Sequence, residues 1–289
     1  MSIFAYPIRE ISLSDKDFPG RLKKIKNPPR KLYVRGNPDV LTSKTLAIVG
    51  SRRMTHYGET VIARLLPDIV SERVVTISGF MYGVDSEVHA QTIALGGQTI
   101  AVFGCGLDVV YPPENISLYE DILKTKGLVV SEYEPKARPH LWKFPQRNRI
   151  VVGLSTIGVL IIEAADKSGS LVTARLAHKE GRRVYAVPGA ITSSVSGGTN
   201  ELIKKGKAKL VTCSLDILGS ARPKTQKQTP PADLSGNELR LWQILGQEAL
   251  SLDEIAYELK DSVSNVSIAI TNLSLKGLIR ESAGKYYLV

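Results

Sequence analysis

Four glycine-bearing strings follow apolar runs, where backbone amides can reach an anion. They are Gly50-Ser51-Arg52-Arg53, SGFMYGVD (78–85), GCGLDVVYP (104–112) and EAADKSGSLVTA (163–174). A glycine at a strand end lets an anion approach the main chain, and an arginine beside it can grip phosphate with two parallel hydrogen bonds. In SGFMYGVD, Gly79 and Gly83 form a turn into a helix start. In the last string Lys167, Ser168, Gly169 and Ser170 lead into another. A fifth string, KARPHLWKFPQRNR (136–149), is basic throughout and sets Trp142 and Phe144 among Lys136, Arg138, Lys143, Arg147 and Arg149. Cations that track phosphates, with rings that stack on bases, suit an unpaired polynucleotide.

Other chemistry is poorly served. GCGLDVV is half of a dinucleotide fingerprint, with a valine at the third glycine position, and no GxxxxGK[ST] string occurs. No cofactor is expected. CxxC, CxxH and HExxH are absent, so no metal is expected either. His56, His89, His140 and His178 are scattered. Asp85 and His89 share one helix face as a capping acid and a packed imidazole. Cys105 reads as a small buried filler. Glu163 and Asp166 flank a strand end, where solvated or arginine-paired carboxylates are usual. No catalytic residue is assigned.

The loops need a frame. Apolar, β-branched runs begin near Leu46, Val74, Thr99, Leu128, Ile157, Val184 and Lys209, 25 to 29 residues apart. Continuous apolar strands at that interval read as βα units of a largely parallel sheet, buried on both faces. Helices are expected at Val84–Leu95, at Ser170–Glu180 opening on the Ser170 hydroxyl, and at Tyr57–Leu66, where Pro67 should kink or end it. ARPKTQKQTPPA (221–232) reads as a linker. Beyond it lie helices near Gly236–Leu245, after Ser251 (capping box with Glu254) and over Ser262–Lys276. LIRESAGKYYLV then turns at Ala283-Gly284, completing a winged-helix pattern over 233–289.

The 289 residues carry a formal net charge of +10, which favours a polyanionic partner. From Asp233 onward five bases face eight acids, so residues 1–232 hold +13 and the winged helix −3. Its third helix has one lysine and no arginine, which disfavours a DNA-reading transcription factor and favours a protein contact or packing. A second basic stretch, RLKKIKNPPRKLYVR (21–35), lies in a basic extension over 1–44. No signal-peptide pattern opens the chain, and no apolar run reaches the ~18 residues of a membrane span. A cytoplasmic setting is expected.

The order GSR (50–52), SGxxxGVD (78–85), AVFGCGLDVVYPPEN (101–115), FPQRNRIVVGLS (144–155), EAADKSGSLVTA (163–174), GRRVYAVPG (181–189) and GGTNELIKKG (197–206) closely resembles the DprA/Smf family of DNA-processing proteins. So does the leader FPGRLKKIKNPPRKLYVRGNPDVL (18–41). The resemblance implies an extended Rossmann-like domain over 45–220, with a parallel or mixed sheet and flanking helices. It further implies sequence-independent binding of single-stranded DNA, delivery of the strand to RecA, a homodimer formed through that domain, and no reaction. By matching motifs, Gly50, Ser51 and Arg52 would hold a phosphate. Lys143 and Phe144 would meet the strand, with Phe144 as the stacking ring. Arg147, Asn148 and Arg149 would shape the rim, and Lys167, Ser168, Gly169 and Ser170 would complete the pocket. Asn148 and Arg149 could equally be structural.

Three departures accompany the resemblance. The N-terminal helical domain of longer members is expected to be missing. Phe80-Met81-Tyr82 stand where smaller residues are usual, and Lys207 adds charge. The alternative reading is a nucleotide phosphoribohydrolase of the LOG type, similar in architecture. It needs an acid in its glycine-rich phosphate loop, and SGSLVTARLA offers none.

Overall fold

A computed structural model describes residues 3–219, 231, 234–246, 250–282 and 284–288. The chain divides into two compact units, Met1–Lys224 and Thr225–Val289. The linker expected at 221–232 falls, but for Pro231, outside the described residues.

The first unit opens with β1 (Arg9–Ser12), α1 (Gly20–Lys23) and β2 (Lys31–Gly36). Next come β3 (Thr45–Val49), α2 (His56–Ser71), β4 (Val75–Ser78), α3 (Val84–Ala94) and β5 (Thr99–Val102). α4 (Ile116–Lys124), β6 (Leu128–Ser131), α5 (Lys143–Leu154) and β7 (Gly158–Ile161) follow. α6 (Gly169–Lys179), β8 (Val184–Ala186), α7 (Gly197–Lys204), β9 (Lys209–Leu210) and α8 (Leu215–Leu218) complete it. The strands form one sheet in the order β1-β2-β6-β5-β4-β3-β7-β8-β9. From β6 to β9 all pairings are parallel. β2 joins β6 antiparallel, and β1 joins β2 antiparallel. All seven apolar runs are therefore strands of one sheet. The stretch expected as a basic extension supplies its antiparallel edge through β1 and β2. β1 has four residues with two charges, and the apolar centre of β2 (Leu32, Tyr33 and Val34) is bracketed by Lys31 and Arg35, so no continuous apolar run announced them.

Alternation along the strands splits the core. Ala47 and Val49 face α1, α5 and α6, packing with Leu22, Ile150 and Ala174. Leu46 and Ile48 face α2 and α3, packing with Ile62, Leu66 and Val88. Farther along, Val129 and Ala101 meet Tyr119 and Ile122 of α4. β3 through β7 are buried on both faces, as continuous apolar strands require.

Two helix boundaries differ from expectation. α2 runs through Pro67 to Ser71. Pro67 and Ala63, whose carbonyl loses its partner, both face water, while Leu65, Leu66 and Ile69 hold the helix to the sheet. α6 is capped by Ser168, whose hydroxyl accepts from the Ser170 amide; Ser170 already lies inside the helix.

The second unit holds α9 (Gly236–Leu245), α10 (Leu252–Leu259) and α11 (Val263–Leu275), then β10 (Ile279–Ser282) paired antiparallel with β11 (Lys285–Leu288). Ser235 with Glu238 and Ser251 with Glu254 form capping boxes at α9 and α10. Leu241, Ile255, Val266, Ile270 and Leu273 build its own core. Three helices and a hairpin make a winged helix.

Candidate functional site

β3 is where the sheet's order reverses, with β4 on one side and β7 on the other. In open α/β sheets the crevice beyond the carboxyl ends at such a point receives ligands. A cavity of about 540 Å³ lies there. Gly50, Ser51, Arg52 and Arg53 reach it from β3, Gly79 and Met81 from β4, and Lys167, Ser168, Gly169 and Ser170 from the β7–α6 turn. Phe144, Pro145, Arg147, Asn148 and Val151 project from α5.

The loops are held by close contacts. A Cβ on Gly50 would lie 2.6 Å from Val84, so the β3 loop sits directly on α3. Gly83 has φ of 72° and a Cβ there would meet the Ser51 carbonyl. That carbonyl accepts from the Val84 amide at 3.1 Å. Gly83 thus locks two loops together and does not line the cavity.

Arg147 forms the cavity floor. It is 3 % exposed, and its guanidinium donates to the carbonyls of Gly79 and Val102, the exits of β4 and β5. Burial lowers its pKa to about 10, partly offset by Asp85. The buried Asp85 carboxyl is pushed above the usual range by burial; Arg147 and a Ser78 hydrogen bond counter this. Gly79 is bare where the two charges meet: a Cβ would lie 2.6 Å from each.

The rim differs in kind. Arg52, Arg53 and Lys167 are exposed cations. α6 points its N-terminus at the cavity and has no acid in its first turn, so its dipole adds to the positive field. Ser168 and Ser170 hydroxyls lie 2.7 Å apart at that end. Val49, Val151, Val172 and Phe144 supply apolar wall. The geometry offers cationic and amide contacts to an anion beside an apolar surface for a flat group.

Eleven of the fourteen expected site residues line this cavity: Gly50, Ser51, Arg52, Gly79, Phe144, Arg147, Asn148, Lys167, Ser168, Gly169 and Ser170. Gly83, Lys143 and Arg149 do not. The Lys143 ammonium donates to the Arg138 carbonyl at 2.7 Å and lies 4.6 Å from the Tyr133 ring centre. Arg149 makes a two-pronged pair with Glu132 at 2.7 and 2.6 Å, which fixes α5 to the β6 exit. Phe144 touches the cavity but is only 7 % exposed. It packs over Gly104 and Tyr111, with the Arg52 guanidinium 5.7 Å from its ring centre.

Sequence reasoning left out Met81, Leu141 and Thr173 from the lining. Thr173 stands one helical turn after Gly169 and Ser170, a spacing that could have found it. The one sequence signal for Met81 is the Phe80-Met81-Tyr82 departure from smaller residues; of those three only Met81 lines the cavity. Glu163, expected to be solvated or arginine-paired, is buried and accepts from the Thr55 amide at 2.9 Å and the Thr55 hydroxyl, tying β7 to the start of α2. His89 is packed, its Nδ1 2.7 Å from the Thr99 hydroxyl, and burial lowers its pKa to about 3. Burial raises the Cys105 thiol to about 11, consistent with an inert filler. Among the described residues no group of three or more His, Cys, Asp or Glu could hold a metal, and no helix is long and apolar enough to cross a membrane.

Comparison with known proteins matches residues 9–222 to the family model of DNA recombination-mediator protein A and residues 225–285 to the DprA winged helix domain. The DNA processing protein DprA of Bacillus subtilis is 37% identical over 225 residues, 78% of this chain and 75% of the relative. The X-ray structure of DNA processing protein A from Streptococcus pneumoniae superposes with a TM-score of 0.70 at 40% identity, covering 74% of each chain. DNA processing protein A from Helicobacter pylori, solved for its single-stranded DNA binding mode, gives 0.65 at 32% identity, covering 73% of this chain and 94% of that one.

Proposed function

The chain belongs to the DNA recombination-mediator protein A family, and from that premise we propose that its switch-point cavity seats single-stranded DNA without reading its sequence. The carrying observation is the cavity's composition. Exposed Arg52, Arg53 and Lys167 and the α6 N-terminus surround an apolar wall. Phosphates meet the cations and amides, and a base enters against Phe144 and Val172. Gly50, Ser51, Arg52, Ser168, Gly169 and Ser170 are the direct contacts. Arg147 and Gly79 hold the floor, while Gly83, Lys143 and Arg149 act by fixing loops.

The proposed role is to shelter the strand and deliver it to RecA, as a homodimer in the cytoplasm. No reaction is assigned. The acid in the lining, Asp85, is buried beside Arg147 and Ser78 and accepts from the Met81 amide, which supports a structural role for it in the floor. The test is competition: a labelled, unstructured oligonucleotide bound to the protein is challenged with unlabelled single or double strands. Single strands are expected to displace it at far lower concentration. Equal displacement by duplex, or turnover of a free mononucleotide without strand binding, would overturn the reading.

A further inference from the structure

Trp142 is 60 % exposed, beside a Phe144 that is nearly covered. An indole left in water forgoes the stabilisation of burying one of the largest apolar surfaces a side chain offers. This one is nevertheless held in place. The His140 ring lies nearly parallel to it, 13° between planes and 6.3 Å between centres. The Tyr133 ring meets it edge-on at 85° and 6.3 Å. The Lys143 ammonium, anchored on the Arg138 carbonyl, sits 5.7 Å from its centre. Trp142 immediately precedes α5, and its neighbours Leu141 and Phe144 line the cavity while it does not. The indole therefore stands just outside the mouth. Lys136 and Arg138, upstream of it, are exposed cations.

A polymer seated in a cavity of this size must leave across its mouth, and the next base arrives in water unless something covers its face. We propose that Trp142 is a base-stacking platform for the nucleotide following the one in the cavity, with exposed Lys136 and Arg138 tracking its phosphate. The proposal rests on the single-strand reading above. Stacking is indifferent to base identity because every base has a π face, so the platform adds affinity without sequence preference. It also assigns a role to Lys143: the ammonium positions the 138–142 segment and the indole, rather than meeting phosphate.

The experiment uses the full chain and two oligonucleotides of equal length, one of thymidines and one abasic. Trp142→Ala is expected to weaken binding of the thymidine strand by roughly 5- to 100-fold and to leave the abasic strand within about twofold. Trp142→Phe, which keeps a ring, should recover most of the loss. In a Trp242→Phe background Trp142 is the remaining tryptophan, and its emission should quench with the thymidine strand and not with the abasic one. Circular dichroism confirms that the variants fold. Wild-type affinity in Trp142→Ala, or an equal loss for both strands, overturns the platform and leaves the single-strand reading standing. A wild-type protein that binds neither strand overturns both.

Discussion

At the scale of single residues, the cavity's cations fall into two kinds. Arg147 is part of the floor: it satisfies two strand-end carbonyls and faces the buried Asp85. Removing it strands a carboxylate and two carbonyls away from water. Arg147→Met should therefore cost about 3–5 kcal/mol of unfolding free energy in urea titration. Arg52 is exposed and presented to the cavity. Arg52→Ala should change stability by no more than about 0.5 kcal/mol while weakening strand affinity in the same preparation. Equal stability losses would mean the division is false. Phe144 behaves like the floor. Its ring fills space over Gly104 and Tyr111, so Phe144→Ala should cost about 3–5 kcal/mol of stability, read as a lowered melting temperature. A variant that lost affinity with no change in melting would restore it as a free stacking ring.

At the scale of elements, the winged helix carries a titratable clamp. The Glu238 side chain accepts from the Ser235 amide at the start of α9 and lies 3.2 Å from the Lys276 ammonium just beyond α11. These contacts, the backbone hydrogen bond first, hold its carboxyl down to about 2, against 4.5 for an ordinary glutamate. A depressed carboxylate stabilises the fold above its unfolded pKa, and that contribution drains away as pH falls. Stability of this unit should decline as pH drops from about 4.5 towards 2, followed by circular dichroism in denaturant. Glu238→Gln should flatten that decline. An unchanged pH profile in the variant would show that the clamp contributes nothing. The third helix offers little to DNA: α11 spans VSNVSIAITNLSL and holds no charged residue.

At the scale of the whole molecule, the basic excess sits with the sheet. Residues 1–232 carry +13 and the remainder −3. A chain ending at Lys224, the boundary of the first compact unit, should fold and keep strand affinity within a few-fold. Loss of binding in that folded fragment would move the reader to the winged helix. Affinity should also fall as salt rises, with a log–log slope of about −0.7 for each phosphate contacted. A flat salt response would remove the electrostatic argument for Arg52, Arg53 and Lys167.

Some of this was legible in the residues alone. Seven apolar runs at a regular interval announced the parallel strands, because a strand buried on both faces cannot alternate. The Ser251–Glu254 capping box of α10 and the alternating strands that became β10 and β11 announced the winged helix, because caps and hairpins are local chemistry; of the expected Ala283-Gly284 turn, Ala283 lies outside the described residues. The glycine and arginine strings after the strands announced a shared edge, because parallel βα units bring all carboxyl ends to one side. Tertiary structure decided what local pattern does not encode. It added β1 and β2 to the sheet, since strands whose apolar residues are interrupted by charges are selected by the edge they join, and it carried α2 through Pro67, since packing outweighs one lost hydrogen bond. It also sorted like from like among the basic and aromatic side chains. Arg147, Arg149 and Lys143 turn inward to carbonyls and a carboxylate, Arg52 and Lys167 stay outside, Phe144 is covered and Trp142 is not. Residue type fixes what a side chain can bind; which partners lie within reach depends on how distant segments meet.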